Sequence, residues 1–345
     1  MPIMLPALKS ADCIKRYEKN PVLTKDMVPY DSDLVFNAGV IKRNGKYVML
    51  FRNDYFYNKV LQEDGVVKRD RSHTNLGIAD SDDGINWVVR EKPFEAVEKI
   101  LSYEIMSIYD PRLIEIDNEL YICFAMDTRH GLRGGIGRII GDFEDFEILS
   151  LSVPDNRNMV LFPEKINGMY VRLERPFPVY SRVVHRFDIW MSYSPDLKFW
   201  GESHLLAGVE DFPFANDKIG PAAPPIKTDK GWLIITHAVD IDNERGFNGW
   251  GQPVWNKRYS AGVMLLDLEN PSKVLGIYKK PLIAPEVGME IEGGYRDNVI
   301  FPCAGVVEDD GIVKIYYGAS DTETYMAEAK LDDLVALCLE NNEAE

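Results

Sequence analysis

The residues best placed to do chemistry in this chain are one aspartate and a dispersed set of cations, each in apolar company. Asp110 follows Ile108 and Tyr109 and precedes Pro111, which pushes it towards an extended backbone. An aspartate beside aromatic and apolar neighbours is expected to hold a raised pKa, as a general acid requires. The competing reading is a turn aspartate capping local amides. Arg157 lies in the polar run 155–158, and Arg172 and Arg175 lie in the run 170–176. Strand alternation puts Arg172 with Tyr170 and Glu174, but Arg175 with Val171 and Leu173, an odd place for a solvated cation. Lys218 precedes Ile219-Gly220-Pro221, and His237 follows Ile235-Thr236. Taken singly, each cation reads as a salt bridge to one of the chain's many carboxylates. Taken together, two arginines, a lysine and a histidine suggest an anion pocket, because the guanidinium fork suits phosphate oxygens and lysine adds a point charge.

Other chemistries find less support. His73, His130, His185 and His204 lack metal-ligand spacing, and Cys13, Cys123, Cys303 and Cys338 form no C-x-x-C pair, so no metal site is expected. The glycine-rich stretch 131–137 is not followed by a helix and fails as a dinucleotide fingerprint. The net charge of -16 argues against nucleic acid or an anionic membrane as partner. Neither a signal peptide nor a run of about twenty apolar residues is evident, so a cytoplasmic location is expected.

A repeating unit must position these residues. Five strand–turn–strand pieces occur at 40–51, 113–124, 162–173, 225–236 and 305–317. Asn44-Gly45, Asn167-Gly168 and Asp310-Gly311 supply hairpin turns, with Asn118-Glu119 and Lys230-Gly231 in the equivalent places. A third strand follows each hairpin, and Ser81-Asp82-Asp83 with Trp87 matches Ser194-Pro195-Asp196 with Trp200 at identical offsets. Five such units spread to the C-terminus predict an all-β, five-bladed β-propeller in one domain, residues 1–345. A sandwich does not predict five even copies. An N-terminal arm over about 1–20 is expected to cap the propeller or reach a neighbouring subunit in a homo-oligomer, and a short helix over about 332–340 is expected near the end.

At these residues the sequence resembles glycoside hydrolase family 130, the inverting β-mannoside phosphorylases. The resemblance is carried by 36–39 with 50–52, by Tyr109-Asp110-Pro111-Arg112, and by 156–165, 171–176 and 218–221. It continues through 231–233 with His237, then 298–303 and 316–322. It implies a five-bladed propeller with Asp110 as the single catalytic acid, its proton passing through the mannose 3-hydroxyl to the glycosidic oxygen. It implies phosphate binding by Arg157, Arg175, Lys218 and His237 with Tyr259, and a mannose subsite of Asn37, Arg52, Tyr109 and Asp321. The expected partners are a small oligosaccharide and inorganic phosphate as co-substrate, with no cofactor. Phosphate is already an anionic nucleophile, so one acid and a cationic cradle suffice where a hydrolase needs a second carboxylate. The long segments 54–71 and 240–257 are expected to be loops that shape the acceptor subsite. A hydrolase on the same fold and a non-catalytic sugar-binding propeller are the rivals. The leaning is to β-1,2-mannobiose or oligomannan, with β-1,4-mannosylglucose and β-1,4-mannooligosaccharides as alternatives.

Overall fold

Period-two alternation of apolar residues, cut by turn residues, produces five small antiparallel sheets around a common axis, a five-bladed β-propeller. The computed structural model describes residues 8–61, 67–102, 104–178, 186–242 and 256–340. The inner strands of blades one to five are Leu34–Arg43, Ile105–Ile116, Asn156–Leu161, Lys218–Pro221 and Ile300–Val307, and the next strand outward in each is Lys46–Leu61, Glu119–Thr128, Tyr170–Pro176, Trp232–Ile241 and Ile312–Ala319.

Turn chemistry sets the register of the hairpins. Asn44-Gly45 and Asn167-Gly168 take positive φ at both residues, as a type I′ turn requires. In blade two the turn sits one residue earlier than expected, on Asp117 and Asn118. The recurring aspartate after the third strand has one job throughout. Asp83 Oδ1 accepts the amides of Ile85 and Asn86, and Asp196 Oδ1 accepts those of Lys198 and Phe199. Between blades three and four the face is apolar: Phe162 of blade three meets Trp232 of blade four edge to face at 5.2 Å, both fully buried.

One expectation changes. Residues 54–61 and 67–71 are strand and not loop, because the ladder between Lys46–Leu61 and Val67–Ser81 runs outward to Leu61 opposite Val67; residues 62–66 lie outside the described residues. Tyr55, Phe56, Tyr57, Val60 and Val67 carry a strand propensity that the surrounding charges hid. The N-terminal segment, as far as it is described, packs on the propeller itself. Lys15–Arg16 pairs with Glu323–Lys330 as the outermost strand of blade five and so closes the ring. Arg16 then grips the fully buried Glu290 through two bonds of 2.8 and 2.9 Å, and Tyr317 donates to the same carboxylate at 2.7 Å. This network fixes the segment 286–299, which borders the central cleft. The C-terminal helix, Leu331–Leu339, buries Leu334, Val335 and Cys338 beside blades four and five. Segment 240–257 begins and ends in strand, and its middle, 243–255, lies outside the described residues.

Candidate active site

A one-residue bulge, repeated in blades one, two and three, aims the key side chains at the axis. In each, three steps along the inner strand match two on its neighbour: Phe36 to Gly39, Tyr109 to Arg112, and Arg157 to Val160. The residue after the first in each bulge is left-handed, namely Asn37 (φ 51°), Asp110 (φ 54°) and Asn158 (φ 56°). Asparagine and aspartate adopt that conformation at least cost among non-glycine residues, so residue choice and backbone agree.

The three bulges open into a cleft of about 470 Å³ lined by Asn37, Arg52, Asp110, Arg157, Asn158, Arg175, Tyr259, Arg296, Val299, Phe301 and Asp321. Seven of these are residues singled out from the sequence. Tyr109 lines the adjoining outer cleft with Asp54, Asp127, Arg157 and Asp321. Lys218 and His237 line neither; His237 stands behind Arg175, and Lys218 lies beside Arg175 on the Phe187 ring. His237 is fully buried, and its Nε2 lies 2.9 Å from Arg175 Nη1. A guanidinium can only donate, so Nε2 accepts and the imidazole is neutral. Burial, then Arg175, Arg112, Arg157 and Lys218, hold its pKa well below the usual value, in agreement.

The inner part of the cleft is cationic and unsatisfied. Arg157 and Arg175 stand directly opposite each other on paired strands, an arrangement that is repulsive without an intervening anion. Arg157 Nε, Arg175 Nε and Nη2, Arg112 Nη2 and His237 Nδ1 are buried with no hydrogen-bond partner among the described residues. Burial and the Arg157 charge lower the Arg175 pKa to about 9; burial and Arg175 lower that of Lys218 to about 7. Phe187 packs under both cations, 5.1 Å from the Arg175 guanidinium and 4.5 Å from Lys218 Nζ. Asp217 lies 3.5 Å from Lys218 Nζ and partly balances it.

The outer part is rich in carboxylates. Arg52 binds Asp54 through both oxygens at 2.9 and 2.7 Å, lies 3.5 Å from Asp110, and is sandwiched between the rings of Phe36 and Tyr109. Tyr109 and Ser107 both donate to Asp127 at 2.9 Å. Asp321, 3.5 Å from Arg296, has a raised pKa, chiefly from burial.

Asp110 itself is 6% exposed and accepts from Asn37 Nδ2 at 2.9 Å. Its pKa was expected to be raised; it is lowered. Burial pushes it up, but Arg52, Arg112, the Asn37 hydrogen bond and Arg157 together outweigh burial. Arg112, 1% exposed, also donates to the Asp110 carbonyl at 2.6 Å and across the axis to Ala222 of blade four at 3.1 Å, which pins the bulge.

Sequence reasoning missed Asn158, Arg112, Arg296, Phe301, Asp54 and Asp127 as site residues. Asn158 was legible by aligning the three bulges, since it occupies the place of Asn37 and Asp110. The others carry no local signal.

The family profile described as beta-1,4-mannooligosaccharide phosphorylase matches residues 10–340. Over 327 residues the chain is 32% identical to 1,2-beta-oligomannan phosphorylase of Thermoanaerobacter sp., covering 93% of this chain and 98% of that one. It is 33% identical over 343 residues to beta-1,4-mannooligosaccharide phosphorylase of Ruminococcus albus, covering 95% and 92%. Among solved structures, beta-1,2-mannobiose phosphorylase from Listeria innocua, in complex with beta-1,2-mannobiose, superposes with a TM-score of 0.77 at 26% identity, covering 94% of this chain and 99% of that one. By the span of the profile and the relatives at this identity, the chain belongs to glycoside hydrolase family 130.

Proposed function

We propose that the protein is an inverting β-mannoside phosphorylase, with the facing pair Arg157–Arg175 as the observation that carries the reading. The partly buried Arg157 and the fully buried Arg175 face each other across one strand pair, with buried donors unpaired among the described residues, in a chain of net charge -16. An inorganic phosphate dianion satisfies them. The mannosyl unit then lies over Asn37, Arg52, Tyr109 and Asp321, where carboxylate and amide oxygens accept sugar hydroxyls. Phosphate oxygen attacks the anomeric carbon from the face opposite the leaving group. As that bond forms, the glycosidic bond breaks, and the Asp110 proton reaches the departing oxygen through the mannose 3-hydroxyl. The products are α-mannose 1-phosphate and a sugar shortened by one residue, and the proton lost by the phosphate restores Asp110.

The depressed pKa of Asp110 fits this sequence of events. With the cleft unliganded the carboxylate is ionised and useless as an acid. A phosphate on Arg157 cancels part of the field that keeps it ionised, so the acid is armed when the nucleophile is in place. Arg157, Arg175, Lys218 and Tyr259 hold phosphate in this reading, and His237 sets the Arg175 guanidinium. Gly220, opposite His237, is what lets them pack. A Cβ there would stand 2.3 Å from His237 Cε1 and 3.0 Å from Arg175 Cδ. Gly220→Ala is expected to displace Arg175 and lower kcat/KM for phosphate about 100-fold, the usual cost of a misplaced positioning group; a wild-type value would remove Arg175 from the anion site.

Lys218 gives a pH signature. Its pKa lies near 7, so its charge is lost as pH rises through neutrality. Phosphate affinity, measured calorimetrically between pH 6 and 9, is expected to weaken above about 7 in the wild type relative to Lys218→Arg. Phosphate's own ionisation is common to both proteins, so parallel curves would show that Lys218 does not face the anion.

β-1,2-mannobiose or β-1,2-oligomannan is the proposed substrate, with β-1,4-mannosylglucose and β-1,4-mannooligosaccharides as the alternatives. The four cysteines, all free thiols, and a reaction that stores glycosidic energy in a phosphate ester favour the cytoplasm. Incubating the protein with each disaccharide, with and without phosphate, tests the whole reading. Phosphate-dependent α-mannose 1-phosphate is the expected product, and the better substrate names the linkage. Free mannose formed regardless of phosphate would replace the phosphorylase with a hydrolase.

A further inference from the structure

A second polar pocket, of about 840 Å³, lies between blades two and three on the far face of the strands that carry Arg157 and Arg175. Alternation makes this unavoidable: Arg157 and Arg175 point into the central cleft, so their neighbours Asn156, Glu174 and Pro176 line the other side. The face between blades three and four is apolar, whereas that between blades one and five carries Lys42, Lys314 and Glu308. Here the face carries a closed polar array. Glu174 accepts from Asn156 at 2.6 Å and from Ser192 at 2.9 Å and lies 3.0 Å from Arg172, which also donates to Ser192 at 2.9 Å. Arg172 and Glu174 neutralise each other, and the one further charge in the lining, Lys198, is solvent-exposed. Asn156 Oδ1, on a side chain 7% exposed, remains without a partner among the described residues. A buried acceptor left open in a roomy pocket costs stability unless something fills it.

Two half-buried indoles complete the lining. Trp200 is held by its Nε1, which donates to Leu197 O at 3.1 Å and Ser150 Oγ at 3.2 Å, and Arg172 stacks on its ring at 4.2 Å. Trp190 stands on the same sheet face as Glu174, its cross-strand partner. Val153, beside them, is 76% exposed. Flat aromatic surfaces next to planar donors and acceptors match a pyranose, which offers C–H faces and equatorial hydroxyls together.

We propose that this pocket is an accessory carbohydrate site that holds a neutral oligosaccharide, separate from the cleft where bonds are broken. That the sugar is a β-mannan chain rests on the functional reading above. An anchored chain raises the local concentration of its ends at the catalytic cleft, so the site matters for long substrates and not for disaccharides.

Trp190→Ala and Glu174→Gln test it, the second preserving shape while weakening the array. Phosphorolysis of mannobiose is expected to stay within about twofold of wild type in both, while KM for chains of six or more residues rises about tenfold. Equal changes for short and long substrates, or none for either, would overturn the proposal. If wild type turns over no mannoside at any length, the functional reading fails instead. The accessory site is then judged by indole fluorescence on titration with mannohexaose. A saturable change lost in Trp190→Ala supports it, and identical curves reject it.

Discussion

Replacing Asp110 with asparagine is expected to leave a folded protein that still binds phosphate but phosphorolyses mannosides about 10²–10⁴-fold more slowly, the usual contribution of a general acid. Asparagine is the informative choice because position 110 is left-handed, at φ 54°. Asparagine tolerates that conformation, whereas alanine would add backbone strain to the loss of the proton. The amide oxygen of the replacement can still accept from Asn37 Nδ2, so the bulge keeps its bond. Steady-state rates, circular dichroism and the phosphate-dependent shift in Tm together separate chemistry from folding. Near wild-type turnover would remove Asp110 from its role.

The pH dependence follows with its sign. In the unliganded protein Asp110 has a lowered pKa, so its protonated form is scarce near neutrality. Activity is therefore expected to fall as pH rises through the higher pKa that Asp110 acquires with phosphate bound. Lowering phosphate should move that limb to lower pH. Asp110→Asn should lack the limb altogether. A limb that persists in the variant belongs to another group.

Replacing Arg175 with methionine is expected to cost about 10²–10³ in kcat/KM for phosphate, the loss typical of one donor in an electrostatic cradle. Its effect on stability should run the other way. The guanidinium is fully buried, faces Arg157 across the strand pair and has two nitrogens unpaired among the described residues. Methionine removes that desolvated charge and leaves His237 Nε2 with the 3.5 Å contact from Asn158 Nδ2 in place of the Arg175 bond. Without phosphate, the variant is expected to be as stable as wild type or more so. With phosphate at 100 times its Kd, wild type gains about 2.7 kcal/mol and the variant nothing. Lysine at 175 should not rescue binding, because its compact charge cannot both accept the His237 contact geometry and fork around phosphate. A variant several kcal/mol less stable without phosphate would make Arg175 a structural residue and dissolve the anion site.

How much of this was legible beforehand depends on the range of the interaction concerned. The five-blade repeat was readable because its causes are local: period-two hydrophobicity, Asn-Gly turns, and an aspartate that caps the amides just after it. Seven of the ten singled-out residues meet in one cleft because cations and amides in apolar strands are costly unless they share a purpose. What stayed hidden was mostly non-local or conformational. The bulges that turn Asn37, Asp110 and Asn158 to the axis each depend on a strand pairing, and pairing is not written at the bulge itself. The ring is closed by Lys15–Arg16 against Glu323–Lys330, ends of the chain that no local pattern connects. Charges around residues 54–71 suggested a loop, yet backbone pairing of 54–61 with 67–74 decided for strand there.

Residue types and spacing by themselves determined the fold class and marked Asp110 and the cations as candidates for chemistry. Only the tertiary structure decided their roles relative to one another. The pKa of Asp110 is a sum over Arg52, Arg112 and Arg157, brought together from three strands on three blades, and that sum reversed the direction its sequence neighbours implied. His237 likewise became the support for Arg175 because the Gly220 backbone lets it pack there. Coulomb energies and packing act through space, so the chain dictates which charges exist, and the closed propeller dictates which of them meet.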